Sequence, residues 1–336
     1  MEYLTHPEQL AAIDSPLYLA IGTFDGIHLG HKRVIQNAVH QATLRPGGRS
    51  GVITFHPHPL EILAPQHAPV ALAAPSQRLP LFAAQGVDFV LDFAFSREFA
   101  MQTPAEFVDN LLRQCPRLEG ITVGSDWKFG RDRAGTVALL REIGQCQGFR
   151  VDSISTVMVQ GCAVKSTRIR NIVREGDLAK AHFLLGRPYP VQGRVVRGRQ
   201  LGKKLGFPTA NLAVENQLLP PPGVMLVEVR IEGDPAWKTL PGVANLGHRP
   251  TIEPKVADQH PPLLEVHILD WSGDLYGRKL EVALIHRLRA EQKFSGIDEL
   301  VSQVHRDRES ARHLYTRLLA EGFTALAQEP SQAALT

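Results

Sequence analysis

Two histidines three residues apart, His28 and His31, close a loop that runs Gly22-Thr-Phe24-Asp25-Gly-Ile-His28-Leu-Gly30-His31. Leu17 to Ile21 before it reads as a β-strand, and Val34, Ile35, Ala38 and Val39 after it recur at helical spacing. The loop therefore lies where a strand hands over to a helix. Free backbone N–H groups and the positive end of the helix dipole favour a bound phosphate at such a junction, and two imidazoles can add hydrogen bonds to the same anion. Gly22, Gly26 and Gly30 recur every fourth residue and let backbone approach a ligand closely. No Gly-x-Gly-x-x-Gly is present, which disfavours a dinucleotide-binding dehydrogenase. Taken alone, His-x-Gly-His is equally readable as a turn bearing two ordinary histidines.

Further groups follow in order: Phe55-His56-Pro-His58-Pro59, Gly124-Ser-Asp126-Trp-Lys128-Phe-Gly130, and Lys165-Ser166-Thr-Arg168-Ile-Arg170. His56 and His58 could join His28 and His31 around a metal, but no carboxylate is placed to complete the set. Ser166 could simply cap a basic helix, and Asp126 could be a polar loop residue satisfying local N–H groups. Later, Gly193, Gly198, Gly202 and Gly206 punctuate a basic stretch that ends in Leu205-Gly-Phe-Pro208-Thr209-Ala-Asn211-Leu212. This is not a Walker A loop, because Gly198 to Gly202 is one residue too short and Lys204, not Ser or Thr, follows Lys203. On its own the stretch could be barrel turns. Asn245-Leu-Gly-His-Arg-Pro-Thr251, Glu265-Val-His267-Ile-Leu-Asp270 and Tyr276-Gly277 come after it.

In this order the motifs resemble those of prokaryotic bifunctional riboflavin kinase/FAD synthetases, and the resemblance covers essentially the whole chain. It implies that the N-terminal half adenylylates FMN with ATP, with His28, His31, Ser166 and Arg168 acting on the phosphates. ATP and flavin binding would involve Gly22, Phe24, Asp25, Gly30, His58, Asp126 and Lys165. It further implies that the C-terminal half phosphorylates riboflavin. There Gly198 and Gly202 would cradle ATP, Thr209 and Asn211 would hold Mg²⁺ with the nucleotide, and Glu265 would serve as base. The two chemistries make different demands. An FMN phosphate is already an anionic nucleophile and needs alignment and charge stabilisation. A neutral alcohol must lose its proton as it attacks phosphorus, so a carboxylate helps. Lys165, Lys203 and Met225 depart from the family's usual small hydroxyl, arginine and aromatic residues. A narrower alternative is therefore an adenylyltransferase whose barrel only binds flavin. A third is a basic binding module without turnover, which the lack of a clustered basic and aromatic stripe disfavours.

The elements that must position these residues fall into two patterns. Up to about residue 186, short β-type runs (Leu17 to Ile21, Gly51 to Phe55, Phe89 to Phe93, Ile121 to Val123) alternate with amphipathic segments. That predicts a Rossmann-like parallel α/β sheet of the nucleotidyltransferase kind. Thr103-Pro-Ala-Glu106 predicts a capped helix through Leu112. Ser166 and Asp177 are expected to cap two helices ended by Gly176 and Gly186, and Gly186-Arg-Pro-Tyr-Pro190 reads as a linker. Beyond it, runs at Val224 to Ile231, Leu263 to Leu269 and Leu280 to Leu288, separated by Gly and Pro, predict a small antiparallel β-barrel. A helix over 297–321 would follow it. The expected domains are residues 1–186 and 187–325, with a frayed tail over 326–336.

Composition agrees with such an enzyme. The 336 residues exceed the usual size of one core, and 43% are hydrophobic. The net charge of +3 is scattered, which gives no argument for nucleic acid or membrane. Cys115, Cys146 and Cys162 form neither a disulfide framework nor a Cys-x-x-Cys pair, as suits a reducing cytoplasm. No basic-then-apolar leader and no apolar run of bilayer length is evident, so neither export nor anchoring is expected. The expected small molecules are ATP, riboflavin, FMN and FAD.

Overall fold

The computed structural model describes residues 1–198, 202, 205–233, 239–247 and 263–322. By their contacts they form two units: Met1–Val70 with Ser76–Ser166, and Ala71–Pro75 with the chain from Thr167 on.

The first unit is built on a parallel sheet of six strands: β1 (Glu2–Leu4), β2 (Leu17–Ile21), β3 (Arg49–His56), β4 (Phe89–Ala94), β5 (Leu118–Gly124) and β8 (Arg150–Ile154), in the order β1-β4-β3-β2-β5-β8. Two short antiparallel ribbons accompany it, β6 (Lys128–Phe129) with β7 (Gly135–Thr136) and β9 (Met158–Val159) with β10 (Cys162–Ala163). A parallel sheet needs both faces covered, and the side chains of β2 divide accordingly. Leu17, Leu19 and Ile21 join the core formed with Val108, Leu111 and Leu140, while Ala20 joins Val34, Ile35 and Ala38 on the other face. The helices are α1 (Leu29–Thr43), α2 (Pro59–Leu63), α3 (Pro75–Ala83), α4 (Arg97–Ala100), α5 (Pro104–Gln114) and α6 (Val137–Gln147). The start of α5 is the predicted capping box: Thr103 Oγ accepts from Glu106 N–H at 3.3 Å, and the Glu106 carboxylate accepts from Thr103 N–H at 2.7 Å. Because β2 sits between β3 and β5, the sheet reverses its direction of growth there, and its carboxyl end is a crevice.

The second unit takes in α7 (Ser166–Glu175) from Thr167 on and α8 (Leu178–Leu185); Ser166, expected as a cap, is the first residue of α7. Asp177 caps α8 through Lys180 N–H at 3.0 Å, and Gly186 ends it at φ 66°, a left-handed conformation that favours glycine. A closed antiparallel barrel follows: β11 (Tyr189–Val196), β12 (Ala210–Val214), β13 (Gly223–Ile231), β14 (Leu240–Gly247), β15 (Leu263–Ile268) and β16 (Lys279–Ala290), in the order β11-β12-β15-β14-β13-β16. The linker expected over 186–190 is shorter than the sequence implied, because Tyr189 and Pro190 already belong to β11. Tyr189 is fully buried and its hydroxyl donates to Leu218 O at 3.0 Å. Pro190 is tolerated because β12 begins to pair only at Gly193, so the side of the strand lacking its N–H has no ladder to break.

The terminal helix α9 (Ile297–Ala320) lays Ala311, Leu314, Tyr315 and Leu318 on Leu226, Val243, Ile285 and Leu288 of the barrel's outer face. Polar ties reinforce it. Arg289 forks onto Asp307 at 2.8 to 3.1 Å, Arg312 onto Asp270 at 2.7 and 2.8 Å, and Tyr315 donates to the fully buried Glu228 at 2.7 Å.

Candidate active sites

The loop from Gly22 to His28 leaves β2 and enters α1 through a tight coil. Phe24 (φ 45°), Gly26 (φ 78°) and Ile27 (φ 37°) are all left-handed, and the two non-glycine residues are 4% and 1% exposed. Burial holds them in a conformation that side chains otherwise avoid. The Phe24 ring meets Phe82 and His31 edge-on, with centroids 6.0 and 5.3 Å apart. His28 is the N-cap of α1, and its Nδ1 accepts from His31 N–H at 3.2 Å. A neutral His28 therefore carries its proton on Nε2, as a donor. The two imidazoles stack, centroids 3.6 Å apart and 19° from parallel. Gly30 packs closely here: a Cβ would come within 3.1 Å of His28 Cε1.

Behind the loop, Thr54 donates to Thr23 O at 3.1 Å and accepts from Arg78 at 3.1 Å. From the far side, Ser166 Oγ donates to Asp25 O at 3.1 Å, and Lys165 pairs with Asp126 at 3.0 Å.

A cavity of about 980 Å³ collects nearly all of the first set of expected residues: Gly22, Phe24, His28, Gly30, His31, His58, Asp126, Lys165 and Ser166 line it. Asp25 contributes its carbonyl to the Ser166 contact, and His58 caps α2 by accepting from Leu60 N–H at 3.2 Å. Arg168 stands on α7 and belongs by its contacts to the second unit. His56 is exposed at the end of β3, and among the described residues no three His, Cys, Asp or Glu side chains group as metal ligands.

An aromatic wall of the same cavity was not read from the sequence. Phe55, Phe95, Phe99, Phe107 and Trp127 line it, with Phe99 within 4.4 to 6.0 Å of Phe55, Phe93, Phe95 and Phe107, and Trp127 stacked on Phe129 at 4.8 Å. Arg97, Lys128, Arg131 and Arg133 add positive charge to the lining. The lining thus combines cationic and hydrogen-bonding groups with flat aromatic rings. The signal was available in Phe93-Ala-Phe95-x-x-x-Phe99, where strand spacing passes into helical spacing on one side of the chain.

In the second unit the register assembles the site. Asn211 on β12 pairs directly with Glu265 on β15, and Glu265 pairs directly with Asn245 on β14. Directly opposed residues share a face, so these three side chains form one row on the outside of the barrel. Alternate positions Leu212, Leu264 and Leu246 are buried inside. Asn211 is only 7% exposed, and Gly198 lies against its carboxamide. Gly202 lies against Thr209: a Cβ there would be 3.2 Å from the hydroxyl and 2.5 Å from Phe207 O. Gly198 thus meets Asn211, Asn211 stands beside Glu265, and Gly202 meets Thr209. His267, one pleat along from Glu265, makes a 2.8 Å bond from Nδ1 to Pro208 O. Burial holds this imidazole below its ordinary pKa, with Arg308 and Arg312 acting the same way against the Pro208 bond.

Met225 is fully buried and pairs with Ala244, which places it inside the barrel on the face away from Glu265. Its departure from an aromatic residue is therefore a matter of core packing. Lys203 lies outside the described residues.

Comparison with known proteins divides the chain in the same sense. A family model described as FAD synthetase matches residues 10–168, and one described as riboflavin kinase matches residues 185–315. Curated relatives from Escherichia coli K12 and Pseudomonas fluorescens are each 40% identical, over 88% of this chain and 92% and 91% of theirs. One from Bacillus subtilis 168 is 31% identical over 94% of this chain and 98% of its own. All three are described as bifunctional riboflavin kinase/FMN adenylyltransferase. A crystal structure described as a macrolide-efflux protein from Streptococcus pneumoniae matches with a TM-score of 0.82 and 29% identity, covering 93% of this chain and 99% of that one. Among the described residues of this chain, no helix is long and apolar enough to cross a membrane.

Proposed function

The chain belongs to the bifunctional riboflavin kinase/FMN adenylyltransferase family, and on that premise we propose which of its residues carry each reaction. It phosphorylates riboflavin to FMN and adenylylates FMN to FAD, using ATP for both. We assign the first reaction to residues 187–325 and the second to residues 1–186.

For adenylyl transfer, the FMN phosphate attacks the α-phosphorus of ATP and pyrophosphate leaves. No base is required, so the residues serve to align and to neutralise charge. His28 offers its Nε2–H, and His31, Lys165, Ser166 and Arg168 offer further donors. The start of α1 adds the positive end of its dipole. Gly22, Phe24, Asp25, Gly30, His58 and Asp126 shape the nucleotide side, and the Phe55, Phe99 and Trp127 wall takes the flavin ring by stacking. For phosphoryl transfer, Glu265 accepts the riboflavin hydroxyl proton as that oxygen attacks the γ-phosphorus and ADP leaves with the bridging oxygen. The hydroxyl of Thr209 and the carboxamide oxygen of Asn211 are hard oxygen donors that suit Mg²⁺ accompanying ATP, and Gly198 and Gly202 leave room for the phosphates. Bound Mg²⁺ supplies charge neutralisation on those phosphates. Three unpaired cysteines fit a reducing cytoplasm.

The observation that carries this assignment is the separation of the two constellations. The His28–His31 stack lines a cavity of the first unit, and the Asn211–Glu265 pair stands on the barrel of the second. Product analysis tests it. His31→Ala should abolish FAD formation and spare FMN formation, and Glu265→Ala should do the reverse when FMN is supplied. Loss of both activities in both folded variants would refute it.

A further inference from the structure

We infer that His267 is a positioning residue for phosphoryl transfer, tethering the Phe207-Pro208-Thr209 turn so that Thr209 and Asn211 meet Mg-ATP together. This rests on the kinase assignment above. Proline has no N–H, so its carbonyl is the one polar backbone group by which Pro208 can be held. His267 holds it, with Nδ1 at 2.8 Å. A carbonyl only accepts, so the imidazole must keep a proton on Nδ1.

On the other side of Thr209, Ala210 begins β12 and pairs with Val266, the neighbour of His267. Thr209 is therefore anchored to β15 before and after itself, once by a side chain and once by the ladder. Without the imidazole bond, the backbone ties on the approach among the described residues are Leu205 N–H and Phe207 N–H to Gly202 O, at 3.1 and 2.9 Å. These close the turn on itself without fixing it to the strand. Glu265 projects from the same face of β15 one pleat away, so the strand that carries the base also sets the height of the threonine. The imidazole is in turn confined by α9, whose Arg308 and Arg312 act on it electrostatically, and Arg312 is locked to Asp270 just past the end of β15.

The test compares His267→Leu, which removes the donor, with His267→Asn, whose side-chain N–H₂ falls near the place of Nδ1. Both are assayed for FMN formation against Mg-ATP concentration, and for unfolding temperature. With one positioning hydrogen bond lost, H267L should raise KM for Mg-ATP about tenfold, with a smaller fall in kcat. H267N should return to within about threefold of the parent. FAD formation from supplied FMN should be unchanged in both. A parental KM in H267L, or equal impairment of H267N and H267L when both are folded, overturns the role of His267. Absence of FMN formation by the unaltered chain would instead refute the kinase assignment on which it stands.

Discussion

Gly198→Ala sets a methyl group where Asn211 keeps its carboxamide. An ideal Cβ at residue 198 would lie 2.6 Å from Asn211 Cγ and 2.8 Å from Oδ1, about 1 Å inside ordinary van der Waals separation. Residue 198 has no left-handed φ, so the backbone itself accepts alanine. The obstacle is the end of a side chain, which can swing away at a cost of about 1 kcal/mol, roughly the worth of one rearranged hydrogen bond. The same swing moves the proposed metal-side oxygen by about 1 Å, and a displacement of that size can cost on the order of 100-fold in rate. Stability and catalysis are therefore expected to part company. The assay is initial-rate FMN formation from riboflavin and Mg-ATP, beside FAD formation from supplied FMN and a thermal melt. The expected result is a melt within a few degrees of the parent, FAD formation unchanged and FMN formation down about 100-fold. FMN formation within threefold of the parent would show that Asn211 need not occupy the position that Gly198 leaves open.

Thr54→Val removes the hydroxyl that links Arg78 to Thr23 O. FAD formation should fall several-fold and stability by about 1 to 2 kcal/mol, with FMN formation retained; an unaltered FAD rate would detach this bond from the loop's function. Asp307→Ala leaves Arg289, at 20% side-chain exposure, without its fork, and should destabilise by about 3 kcal/mol. Amide exchange should quicken in β16 and α9 but not in β2, and uniform loss across both units would contradict the division drawn from the contacts. The Glu106 carboxyl is held below its ordinary pKa, first by Thr103 N–H and then by the Thr103 hydroxyl. A depressed folded-state pKa stabilises above the unfolded value and is lost as pH falls through the folded one. NMR titration should place Glu106 below an ordinary glutamate, and Thr103→Ala should raise it; no movement would mean the hydroxyl contributes nothing.

The strand-loop-helix turn at His28 was legible because its evidence is local: an apolar run, spaced glycines and the onset of a 3.6 period. The capping box at Thr103 was legible for the same reason. β12 and β14 were not, since Ala210–Val214 is short and carries Asn, and Leu240–Gly247 carries Pro, Gly and Asn, which on propensity read as turns. Their pairing with β15 overrides that preference, and it is this non-local pairing that sets Asn211, Glu265 and Asn245 side by side. The linker reading fails because Pro190 counts against a strand unless the side lacking its N–H is known to carry no strand ladder. The aromatic wall escaped notice because Phe55, Phe99 and Trp127 are distant in sequence and converge only through the sheet and its loops.

The alternating register of the barrel also sets which length changes the chain can absorb. Insertions in the connections between β12, β14 and β15 leave the row of three polar side chains where it is. A single residue inserted within β15 ahead of Glu265 would turn the glutamate toward the packed interior and bring a valine or leucine outward. Heritable variation in this half should therefore accumulate as loops of differing length between strands of fixed parity, with one-residue indels inside β12 or β15 found among chains that have lost FMN synthesis.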